Sequence, residues 1–97
     1  MAFVQQSGTA TTARVPKGKF EAEASSKELL KDNPDRVELV ISNIGTKDVW
    51  LSLGTTAVAE EGIYLKNGGG SWVTNGYSGA VFCITASEKS KLSYSEI

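Results

Sequence analysis

In two runs between Arg36 and Leu53 an apolar side chain recurs at every second position, and that period narrows the fold more than any other feature of the chain. Val37, Leu39 and Ile41 share one side; after Asn43-Ile44-Gly45-Thr46-Lys47, Val49, Leu51 and Leu53 share one side again. A two-residue period faces a strand to a core on one side and to water on the other, whereas a helix needs apolar residues three and four apart. The intervening segment reads as a hairpin loop whose glycine takes a left-handed conformation, so the two strands are expected to pair. Trp50 falls on the opposite side from Val49 and Leu51, between Asp48 and Ser52, where a strand ordinarily meets water.

The rest of the chain repeats this design. Residues 18–26 set Phe20, Ala22 and Ala24 against Lys19, Glu21 and Glu23, a half-buried strand. Residues 26–33 offer Ser26 as an N-cap and the pair Leu29-Leu30, enough for one or two helical turns before Pro34 biases Asn33 away from helix; this predicts a short plug between strands. Short strands follow at residues 63–66, 71–74, 79–86 and 91–97, separated by Asn67-Gly68-Gly69-Gly70, Asn75-Gly76 and Ser78-Gly79. The 79–86 strand is apolar on both faces except at Thr85, as in a central strand covered on both sides. Val37, Leu39, Ile41, Val49, Leu51, Leu53, Phe82 and Ile84 are the expected core.

About seven short strands without a long helix predict an all-β fold, a small antiparallel β-sandwich over residues 18–97. Residues 1–17 are rich in Gln, Ser, Thr and Ala and have little to bury. They read as an extended N-terminal arm, either frayed or ordered on a partner. With 97 residues the chain can bury roughly 60–70% of its unfolded surface, enough for one core.

Charge and composition exclude several functions. Ten basic against eleven acidic residues leave a net charge of −1, which gives no field for collecting nucleic-acid phosphates. No stretch approaches a membrane span, the N-terminus lacks a signal peptide's apolar centre, and a lone cysteine suits a reducing cytoplasm. Without histidine, no Ser-His or Cys-His pair and no imidazole metal site can be built, so neither a catalytic site, a metal nor a cofactor is expected. The Gly68-Gly69-Gly70 run lacks the Lys-Ser/Thr and the helix of a phosphate loop. Glu60-Glu61 reads as a solvated loop, Cys83 as a packing residue, and Arg36 as a structural cation bridging backbone carbonyls or carboxylates.

Leu29-Leu30, Asn33-Pro34-Asp35-Arg36, the strand to Asn43 with Gly45, and Val49-Trp50-Leu51 together resemble a widespread set of small tailed-bacteriophage virion proteins. So do Gly62-Ile63-Tyr64-Leu65 before a glycine-rich turn, the strand Gly79 to Ile84, and a closing strand ending in an acidic residue. The likeness spans residues 20–97. It implies a compact β-sandwich that decorates the capsid exterior, cementing the major capsid protein or another virion protein, with no catalysis. It also implies a homo-oligomer, a trimer or another small oligomer, made in the bacterial cytoplasm and carried on the virion. A tail or baseplate module is the alternative among virion proteins. Outside them stands a carbohydrate-binding sandwich with Trp50, Tyr64 and Trp72 as a stacking platform. The interface candidates are those three aromatics with Phe3, Val4, Arg14 and Val15 on the arm. Trp50 is expected to be covered by the plug, by the arm or by a neighbouring subunit.

Overall fold

The computed structural model describes residues 17–97, so all of the expected arm but Lys17 lies outside the described residues. Eight strands follow in order: β1 (Lys17–Ala22), β2 (Lys27–Leu30), β3 (Glu38–Asn43), β4 (Val49–Leu53), β5 (Ile63–Leu65), β6 (Ser71–Asn75), β7 (Val81–Thr85) and β8 (Ser90–Glu96). They form two four-stranded antiparallel sheets packed together, ordered β1-β8-β3-β6 and β2-β7-β4-β5.

The pairings have a simple origin. β1 pairs with β8, β2 with β7, β3 with β6 and β4 with β5, the ladder of one long hairpin whose turn is the β4–β5 loop. The further pairings β3–β8 and β4–β7 roll that ribbon onto itself, which makes a jelly roll. Only the β4–β5 connection therefore stays within one sheet; every other connection crosses to the opposite one.

That corrects the expected pairing of the strands before and after Asn43-Ile44-Gly45-Thr46-Lys47. β3 and β4 lie in different sheets, and Asn43 holds the crossing. Its amide Nδ2 donates to the carbonyls of Lys47 and Leu65 at 2.7 and 2.9 Å, while Oδ1 accepts from the Gly45 N–H at 3.1 Å and the Ser90 hydroxyl at 2.9 Å. Asn43 is fully buried, and these four bonds satisfy its amide. A Cβ on Gly45 would run into the Ser90 side chain and the backbone of Lys91, so the loop sits this close to β8 only because residue 45 has none.

The plug expected at residues 26–33 is also corrected. Lys27–Leu30 is a strand, the eighth, paired with β7. Its register shifts between Glu28, opposite Phe82, and Leu30, opposite Val81, so Leu29 is an extra residue in a β-bulge. Two adjacent leucines cannot both face inward on a regular strand, yet across the bulge both Leu29 and Leu30 are buried.

Leu39, Ile41, Val49 and Leu51 are fully buried, as the alternation predicts, and share the core with Ala22, Leu65, Val81, Cys83 and Leu92. Three other expected core residues are not part of it, and a fourth, Ile84, is buried beside the central cluster. Val37 is 67% exposed. Its N–H and that of Glu38 both donate to the Ile97 carbonyl, at 2.6 and 3.0 Å, a bulge that breaks the alternation just before β3. Leu53 is 38% exposed because β4 ends there, ahead of Gly54 in a left-handed conformation. Val81, Cys83 and Thr85 take the inward positions of β7, so Phe82 and Ile84 lie on its other side; Phe82 is only half-buried there, whereas Ile84 is buried, as expected.

Arg36 acts structurally, as expected. Its guanidinium is buried and makes five hydrogen bonds: two to one Glu96 oxygen at 2.9 and 2.8 Å, and three to the carbonyls of Lys31, Tyr77 and Gly79. It joins the β2–β3 and β6–β7 connections to the end of β8.

Candidate interaction surface

The outer faces of the two sheets differ. On the first sheet, Lys, Glu, Ser and Asn fill most outward positions, with one apolar cross-strand pair, Val40 and Val73. The second sheet presents an apolar row.

Trp50 occupies the centre of that row because Val49 and Leu51 on either side turn inward. Directly opposite it stand Tyr64 on β5 and Ile84 on β7. Facing residues in a pleated sheet share a side, so the three form one line across the sheet. The Trp50 and Tyr64 ring centroids are 5.7 Å apart with a tilt of 33°, within the range of an attractive aromatic pair. Tyr64 remains 52% exposed and Trp50 is half-buried, whereas Ile84, with Trp50 across from it, is only 8% exposed. Phe82, two residues along β7, extends the apolar surface towards Ser52 and Glu28.

A polar clamp borders the other side. Asp48 Oδ1 accepts from the Asn67 backbone N–H at 3.0 Å and from the Asn67 side-chain amide at 2.9 Å. The backbone N–H of Asn67 is the main cause that holds the Asp48 carboxyl below its ordinary range; burial works against it, and the Asn67 amide, Tyr64 and Lys66 assist. Desolvation first, and then the neighbouring Asp48 carboxylate, push the Tyr64 phenol above its usual value.

The sequence-derived candidates thus separate. Trp50 and Tyr64 come together. Trp72 lies on β6 in the other sheet, opposite Ile41, and packs half-buried against the rim of the core, so it does not join them. Phe3, Val4, Arg14 and Val15 lie outside the described residues. The plug cannot cover Trp50, because β2 is itself part of the sheet. Ile84 and Phe82 share a parity against Val81 and Cys83, which puts both on the Trp50 side of the sheet, Ile84 buried and Phe82 half-buried. Nothing in the sequence singled out the Asp48–Asn67 clamp, since its residues are 19 apart and meet only through the β4–β5 pairing.

Among the described residues, no three His, Cys, Asp or Glu side chains gather where they could hold a metal ion. Burial pushes the Cys83 thiol up to about 12, which leaves almost no thiolate at neutral pH. Searches of family models, curated proteins and solved structures find no match to this chain.

Proposed function

We propose that this chain is a structural protein of a tailed-bacteriophage virion, a decoration protein that binds the capsid exterior through the face that Trp50 and Tyr64 present. The observation that carries the reading is the outward aromatic row itself. An indole at the centre of an apolar line, bordered by Asp48 and Asn67 on one side and Ser52 and Glu28 on the other, has the apolar centre and polar rim of a protein interface. The resemblance of residues 20–97 to such virion proteins supports it, as does the jelly-roll strand order, which recurs in viral capsid domains. The protein acts by contact and not by catalysis, with the major capsid protein as partner.

Jelly rolls also occur in lectins, and one observation favours a carbohydrate as second reading: a hydrogen-bonded carboxylate and amide stand beside two outward rings. The 33° tilt gives the rings no common plane for one sugar, and Trp72 is on the other sheet. Incubation of the full chain with purified capsids, scored by the copies retained after sedimentation, tests the capsid reading. Saturable retention that Trp50→Ala abolishes without unfolding supports it; no retention, together with binding of Trp50 to an immobilised glycan, transfers the face to the second reading.

A further inference from the structure

Each sheet has two edge strands, and three of the four carry a device against pairing with other chains. β1 presents Lys17, Lys19 and Glu21; β2 carries Lys27, Glu28 and a bulge; β5 has only three residues. β6 has none of these. Its sequence Ser71-Trp72-Val73-Thr74-Asn75 holds no charge, no proline and no bulge, and three of its five residues are of strongly strand-forming type.

The free groups of this edge can be located. Asn43 N–H bonds the Gly70 carbonyl at one end of the β3–β6 ladder, and Gly76 N–H bonds the Val37 carbonyl at the other. Antiparallel bonding alternates, so Trp72 and Thr74 turn their backbone groups to β3, and Ser71, Val73 and Asn75 turn theirs away from the sheet. Among the described residues these outward groups have no backbone partner.

We propose that β6 pairs antiparallel with β6 of a second copy of this chain about a two-fold axis at Val73, joining the two first sheets into one eight-stranded sheet. The strand is complementary to its own reverse. Val73 meets Val73, Trp72 meets Thr74 and Ser71 meets Asn75, so each opposed pair is β-branched, aromatic with β-branched, or hydrogen-bonding. No like charges oppose. On the outer face the Val40–Val73 pair continues into its counterpart as a strip of four valines, covering a Val73 that is 55% exposed in the single chain. On the inner face Trp72, half-buried at the rim of the core, is closed over by Thr74 of the second copy. The pairing lies in the first sheet and leaves the Trp50–Tyr64 face of the second uncovered, so it is independent of the virion reading.

The test uses the full chain alone, without capsids. Sedimentation equilibrium over a concentration series should show a monomer–dimer equilibrium. Val73→Lys, which places a charge on the open edge, should leave only monomer, with an unchanged far-ultraviolet spectrum. Val73→Pro should do the same, since the N–H it removes points away from β3; if this variant fails to fold, Val73→Lys still decides. Val73→Cys should form a disulfide-linked dimer with oxidised glutathione, because a hydrogen-bonded antiparallel pair sets the two Cα atoms about 5.5 Å apart. Cys83 is buried and takes no part. A wild-type chain that stays monomeric throughout overturns the proposal. So does an oligomer that survives Val73→Lys and gives no Val73→Cys cross-link.

Discussion

Arg36 and Glu96 show how a single pair of residues can hold the end of a roll. A buried charge is costly unless it is paired and its remaining donors are bonded, and here all five bonds are made. Arg36→Met should therefore cost about 3–5 kcal/mol in urea denaturation, much of it from the Glu96 carboxylate left without a partner. Replacing both residues with apolar ones of similar volume should cost less than that. An equal loss in both variants would show that the carbonyl contacts, and not the ion pair, dominate. Asp48 makes a second prediction, in pH. Its carboxyl is depressed in the folded chain, so its contribution to stability is complete above the ordinary value of 3.8 and is lost as pH falls through the lower folded value. Thermal midpoints of wild type and Asp48→Asn should therefore differ at pH 7 and converge in strong acid. A difference that persists unchanged in acid would place the effect elsewhere.

Elements here are defined as much by their irregularities as by their alternation. The bulge at Leu29 turns two adjacent leucines inward, and the one at Val37 turns a valine out. The consequence is measurable. Leu51, fully buried on β4, should cost about 2–5 kcal/mol when cut to alanine. Val37→Ala, at a position with the same sequence pattern, should stay within about 0.5 kcal/mol of wild type. Comparable losses at both positions would mean that Val37 packs inward and that the bulge is misplaced.

At the scale of the whole molecule, the roll leaves two surfaces unlike the rest: the aromatic row on the second sheet and the open edge of the first. They lie on different sheets and should fail separately. Trp50→Ala should melt near the wild-type temperature, because the indole stands outside the core cluster. It should nevertheless weaken capsid binding by about 2 kcal/mol or more, as the loss of a central interface aromatic does. A large drop in melting temperature with unchanged occupancy per folded molecule would make Trp50 an internal packing residue and remove the interface.

The order of residues made the strands and their inward sides legible wherever apolar alternated cleanly with polar, away from the bulge at Val37 and the strand end at Leu53. Leu39, Ile41, Val49 and Leu51 are inward and Trp50 outward because a pleated strand admits only those two directions. It also determined that Arg36 would be a structural cation, since a guanidinium beside a strand must find acceptors. Which strands pair was settled by contacts between residues far apart in the chain. A five-residue connection with a glycine and several polar residues serves a hairpin or a crossing equally well, and the choice between them rests on Asn43 meeting Lys47, Leu65 and Ser90, contacts that exist only once the ribbon has rolled. For the same reason β7 was ambiguous. With apolar residues on both sides, alternation carries no direction; Val81, Cys83 and Thr85 took the inner face of the roll, and Phe82 and the buried Ile84 the side that Trp50 shares.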